Sequence, residues 1–144
     1  RSGLGMSSKL MLLANTGLHR YVVRQDDIIE LRLIPDPNNL PVDDRGKPYL
    51  GVELGEMLDP NDRSTQPRRH ALVVAMRRRL IALLVDSIDS LPEDLVPVPL
   101  PSLLQARLAN PWVVGAVVLD DSVVVELDLR AIARSVLSPR STQS

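Results

Sequence analysis

The chain has 144 residues, the length of one ordinary domain, and its 17 basic and 18 acidic residues leave a net charge of -1, which removes any general electrostatic pull toward nucleic acid or an anionic membrane. It holds no cysteine, which excludes disulfides, thiol nucleophiles and thiolate zinc sites and suits a reducing compartment. No apolar run approaches the roughly 18 to 20 residues that a membrane span needs, so a cytoplasmic protein without direct membrane insertion is expected.

Arg1 to Ser8 is rich in glycine and serine, and Arg1 to Gly5 reads as a remnant of cloning ahead of a flexible N-terminus. Lys9 to Ala14 and Leu18 to Val23 are apolar runs around the turn residues Asn15-Thr16-Gly17, which predicts an opening hairpin. After Asp26-Asp27, Ile28 to Ile34 alternates as a strand that puts Ile28, Glu30, Arg32 and Ile34 on one partly wet face. Pro35 to Asp44 is rich in proline and asparagine and is a connection. A turn at Arg45-Gly46-Lys47-Pro48 leads to a strand from Tyr49 to Leu54, with Leu50, Val52 and Leu54 alternating. One helical turn fits within Glu53 to Leu58, and a polar surface loop follows to Pro67.

The central signal is a pair of apolar runs, Ala71 to Met76 and Leu80 to Val85, around Arg77-Arg78-Arg79. It predicts two core strands with the arginines as the turn. At Val85-Asp86-Ser87-Ile88 the run gives way to alternation, as when a fully buried strand becomes half exposed. The prolines from Leu91 to Pro101 predict an extended path, and Ser102 predicts the cap of a short helix from Leu103 to Ala109. Trp112 to Leu119 and Val123 to Leu127 read as a hairpin joined at Asp120-Asp121-Ser122, with Trp112 as a core anchor. Asp128 is the expected N-cap of a closing helix whose apolar stripe is Leu129, Ile132, Ala133, Val136 and Leu137. With no phenylalanine, two tyrosines and one tryptophan, leucine and valine must fill the core. Many short strands, one proper helix and no alternation of strand and helix together predict an all-β barrel or sandwich.

The residues offer little chemistry. His19 and His70 are the only imidazoles and lack further ligands at metal-binding spacing. The carboxylate pairs Asp26-Asp27, Asp43-Asp44 and Asp120-Asp121 sit where turns are expected, and neither a nucleophile elbow nor a phosphate-cradling loop is present. The arginine triplet has no interleaved aromatics for base stacking, so it reads as a solvated turn. The expectation is a protein that is not an enzyme and takes no cofactor and no metal. A barrel binding another protein or nucleic acid, and a small enzyme with a site assembled only in space, are the alternatives.

From about Met11 to Leu137 an ordered set of motifs resembles the CheW-like family, the coupling proteins of bacterial chemotaxis. Tyr21 followed by Ile28-Ile29-Glu30-Leu31 is similar to the family's early strand. Arg45-Gly46 with Val52-Glu53-Leu54 resembles its Arg-Gly segment, Val85-Asp86-Ser87-Ile88 its Val-Asp-x-Val signature, and Trp112-Val113-Val114-Gly115 its aromatic-x-x-Gly motif. Pro92 to Pro97 and Val123 to Leu129 match the segments that follow. The chain departs from the family in its short Glu30 to Arg45 interval, with Asp43-Asp44 in place of Asn-Leu.

The resemblance implies two small five-stranded SH3-like β-barrels packed together across a groove, with a short helix and a C-terminal helix, over residues 9–138 and with a disordered tail at 139–144. It implies a non-catalytic adaptor that bridges the cytoplasmic tip of a methyl-accepting chemoreceptor and the regulatory domain of the histidine kinase CheA, with no nucleic acid partner. Carried over by position, Ile28, Glu30, Arg45 and Gly46 would border the receptor groove, with Arg45 paired to Glu30.

Overall fold

The computed structural model describes residues 11–91, 96–98 and 100–137. The expected cloning remnant, the tail and residues 92–95 and 99 of the proline-rich stretch lie outside the described residues.

The two central apolar runs form β5 (Arg69–Ala75) and β6 (Leu80–Val85), antiparallel from His70 opposite Val85 to Ala75 opposite Leu80. The Met76 N–H bonds to the Arg79 carbonyl at 2.9 Å and the Arg79 N–H to the Met76 carbonyl at 3.4 Å, so the arginine triplet makes the turn as its sequence predicts. Alternation divides the pair between two cores. Leu72, Val74, Ile81, Leu83 and Val85 enter the main one, while Ala71, Val73, Ala82 and Leu84 enter a second with Ile34 and Tyr49. Burial on both faces is the physical reason why these runs are apolar throughout and do not alternate.

Two further strands complete this sheet. β3 (Glu30–Ile34) pairs antiparallel with β5, and β4 (Leu50–Glu53) pairs parallel with β6, in the order β3-β5-β6-β4. The expected helical turn is α1 (Leu54–Leu58). The parallel pairing is new relative to the sequence reading, because α1 and the loop after it carry the chain back to the start of β5.

The other sheet contains β1 (Met11–Asn15), β2 (Arg20–Arg24), β7 (Ser87–Ser90), β8 (Val96–Pro97), β9 (Val113–Leu119) and β10 (Ser122–Leu127), in the order β7-β1-β2-β10-β9-β8. The opening hairpin β1-β2 and the late hairpin β9-β10 meet through a parallel pairing at Val22 and Glu126. The late turn is Asp120-Asp121, with φ of 52° and 64°. Two successive left-handed residues are what a two-residue hairpin of this twist demands, and Asp tolerates them better than most side chains.

Among the described residues the ten strands divide six and four, where the resemblance implied five and five. The division turns on Asp86. Val85 ends β6 in one sheet, and one residue later Ser87 begins β7, which pairs with β1 in the other. The change from continuous run to alternation marks the crossing between sheets.

The main core lies between the sheets and includes Ala14, Tyr21, Val23, Leu54, Val113 and Leu127 with the strand residues above. Trp112 is half-buried against it. The closing helix α3 (Leu129–Leu137) adds Leu129, Ile132 and Ala133, and its cap is in place, with Asp128 Oδ1 accepting from the Ala131 N–H at 3.1 Å. Leu137, expected in the apolar stripe, is exposed, since the stripe turns away from the core in the last turn. α2 (Leu100–Ala109) begins ahead of the expected Ser102 cap. Pro101 falls in its first turn, where the missing N–H costs no bond.

Among the described residues three charged side chains are buried, which their sequence context does not signal. Arg69 lies 2.6 Å from Glu53 and 3.4 Å from Asp86, so the residue at the crossing between sheets is held by an ion pair from β5. Glu126 bonds Arg24. Asp62 accepts from the Thr16 hydroxyl and the Leu18 N–H, and a Cβ added to either Gly17 or Gly55 would lie 2.9 Å from its side chain. These glycines let the loop after α1 seat its carboxylate against the opening turn.

Candidate partner-binding site

The site forms where three pieces of chain that are distant in sequence meet: β3, the connection from Pro35 to Pro48, and the arginine turn. Together they border an open depression of about 470 Å³ whose lining includes Ile29, Glu30, Arg32, Val42, Arg45, Tyr49 and Arg77 to Arg79.

Its floor is a polar cluster. The buried Tyr49 donates its hydroxyl to Glu30 Oε1 at 2.7 Å, and Arg32 reaches both Glu30 Oε1 at 3.3 Å and the Tyr49 oxygen at 3.2 Å. The Arg32 guanidinium also stands 5.7 Å from the Tyr49 ring centre, within cation–π range. The bond to Glu30, then burial and the charge of Glu30, push the Tyr49 phenol above its ordinary value. Glu30 therefore accepts from two donors, and Tyr49 stays protonated.

The wall opposite is a tight turn organised by Asp43. Its Oδ1 accepts from the Arg45 N–H at 2.8 Å and the Lys47 N–H at 2.9 Å, while the Gly46 N–H bonds the Asp43 carbonyl at 3.0 Å. The Lys47 amide first, and Arg45 with it, hold the Asp43 carboxyl below the usual carboxylate range. Gly46 has a φ of +81°, which a glycine adopts without strain. The turn leaves Arg45 exposed above the depression. Arg79 is tied down, donating Nε and a terminal nitrogen to the Pro48 carbonyl at 3.3 and 3.2 Å, whereas Arg77 and Arg78 are exposed.

Of the residues expected at this surface, Glu30 and Arg45 border the same depression and Gly46 shapes the turn between them. The expected Glu30–Arg45 ion pair is absent: Glu30 is engaged by Tyr49 and Arg32. Ile28 lies elsewhere. It packs against the main core, because it precedes β3 at the end of a short 3-10 turn and the alternation counted back from Glu30 does not extend to it. Tyr49 is the member that sequence reasoning missed, whereas Arg32 is expected on the face of Glu30 but given no role at the site. The tyrosine, one of only two in the chain, was the available signal.

The remaining polar candidates have local roles. His19 Nε2 lies 2.9 Å from Asp59 Oδ2 on the surface, and Asp120-Asp121 is a hairpin turn. Among the described residues no cluster of three or more His, Cys, Asp or Glu could hold a metal ion, and no helix is long and apolar enough to cross a membrane.

Residues 11–137 match the family model of the CheW-like domain. No curated protein gives a significant match. Among solved structures, the scaffolding protein TtCheW from Thermoanaerobacter tengcongensis is similar in fold, with a TM-score of 0.58 at 15% identity over 85% of this chain and 86% of that one.

Proposed function

The chain belongs to the CheW-like domain family, and on that premise we propose that it is a non-catalytic scaffold of bacterial chemotaxis or a related two-component pathway, coupling a chemoreceptor tip to a CheA-type histidine kinase. The observation that carries the reading is the depression that gathers Glu30 and Arg45 from separate elements, with the exposed apolar side chains of Ile29 and Val42 at its rim. A helical hairpin tip offers apolar knobs flanked by polar side chains, and this surface offers apolar rim positions around fixed charges. Nothing at the site resembles an activated nucleophile or a general base: Glu30 accepts from two donors, and Asp43 is spent on its own turn.

Titration calorimetry against a receptor-tip fragment and against the kinase regulatory domain tests the reading. Arg45→Ala should weaken receptor binding about fivefold and leave the kinase affinity unchanged, since an exposed charge at a rim contributes roughly 1 kcal/mol. A folded protein that binds neither partner would sink the proposal. Salt-sensitive retardation of DNA or RNA through Arg77 and Arg78 would favour the nucleic-acid alternative.

A further inference from the structure

The four edges of the two sheets differ in how they are finished. β7 is polar, with Ser87, Asp89 and Ser90, and β8 is two residues long with a proline. β4 has four residues and is interrupted by Gly51. Such short, polar or broken strands blunt an edge against pairing with another chain. β3 is different: Leu31 and Leu33 are 48% and 51% exposed along it, and among the described residues no strand pairs with its outer side.

The backbone of that outer side follows from the register. Met76 and Arg79 exchange bonds across the arginine turn, so the even-numbered residues of β5 bond to β6 and the odd-numbered ones to β3. Glu30, Arg32 and Ile34, opposite Val73, Ala71 and Arg69, thus spend their backbone groups on β5. Leu31 turns its N–H and C=O outward. Glu30 and Arg32 project to one face of the strand and Leu31 and Leu33 to the other. Ile29, ahead of the strand, gives its N–H to the Val73 carbonyl at 2.8 Å and borders the same depression as Glu30.

We propose that the outer edge of β3 pairs antiparallel with the same edge of a second copy of this chain, on a two-fold axis through Leu31. In that register the two Leu31 residues exchange backbone bonds. Four exposed apolar side chains, Leu31 and Leu33 of each copy, then lie on a single face. On the opposite face Glu30 of each copy stands directly across from Arg32 of the other. The charges select the register: a slip by two residues sets Glu30 against Glu30 or Arg32 against Arg32, and like charges directly opposed are destabilising. The strand is therefore self-complementary, as a two-fold interface requires. The proposal does not depend on the scaffold reading above.

Sedimentation equilibrium over a range of concentrations, with folding checked by circular dichroism, tests it. The wild type should pass from monomer to dimer, and Leu31→Lys should remain monomeric. Glu30→Arg and Arg32→Glu should each raise the dimer dissociation constant about tenfold, because each sets like charges across the axis twice. The double exchange, Glu30→Arg with Arg32→Glu, should restore pairing. A monomer at all concentrations, or a dimer indifferent to Leu31→Lys, would overturn the proposal, as would failure of the double exchange to recover what the single changes lose. Since the chain has no cysteine, Leu31→Cys reads the register directly. Opposed residues of a bonded pair lie about 5.5 Å apart at Cα, within disulfide reach, so Leu31→Cys should give a cross-linked dimer on mild oxidation and Leu33→Cys should not. The reverse pattern would refute this register.

Discussion

The central hairpin β5-β6 and the late hairpin β9-β10 are built from similar aliphatic runs, yet the first is dry on both faces and the second is partly wet. Val73, Val74, Ala82 and Leu83 are all fully buried, whereas Val114 and Val123 are exposed. The difference lies in what covers them. The six-stranded sheet and α3 close one side of β5-β6, and Ile34, Tyr49 and Leu40 close the other. An apolar run thus tells how much surface a strand can bury, and its neighbours decide how much it does.

Removing the charge buried in the central hairpin should produce the largest effect. Arg69→Ala removes a buried guanidinium, leaves Glu53 and Asp86 without their partner and should cost about 3 kcal/mol or more. Arg24→Ala removes a partly exposed guanidinium whose place beside Glu126 water can take, and should cost about 1 kcal/mol. Equal losses in urea unfolding would contradict the contrast between hairpins. Next comes Leu83→Ala, a cavity in the main core worth about 2 to 4 kcal/mol, against Val123→Ala at the late edge, which should fall within about 0.5 kcal/mol.

Tyr21, on β2 and packed in the main core, is pushed up to about 12 by burial and then by the nearby charges of Asp62 and Asp59. A phenol raised above its unfolded value near 10 favours the folded state while protonated. That contribution is full below pH 10 and is lost as pH climbs toward 12, on the order of 2 kcal/mol. Tyr21→Phe should flatten alkaline unfolding in this window, and an unchanged profile would place the sensitivity elsewhere. The smallest effect expected is a gain. Asp121→Gly relieves a left-handed residue in the late turn and should stabilise by roughly 0.5 kcal/mol, read as a small rise in Tm.

Much of the architecture was legible because it rests on local rules. The turn at Arg77 to Arg79, the opening hairpin, the Asp128 cap and the Asp120-Asp121 turn all depend on residues close in sequence, whose periodicity and backbone preferences act over a few positions. The candidate site was half legible. Glu30, Arg45 and Gly46 were placed by resemblance, but the partners of Glu30 were misjudged, because Tyr49 approaches from the far end of a connection that carries no periodic signal. Ile28 was put on the wrong side by extending a strand's alternation through a 3-10 turn.

What the sequence determined by itself is therefore the set of strands, turns and caps, each written in neighbouring residues. Only the tertiary structure decided that Asp86 carries the chain from one sheet to the other, that Arg69, Asp62 and Glu126 are buried with partners, and that β3 keeps an apolar outer edge. Those outcomes depend on contacts between segments tens of residues apart, and a charge or a leucine looks the same along the chain whether its surroundings are water or another strand.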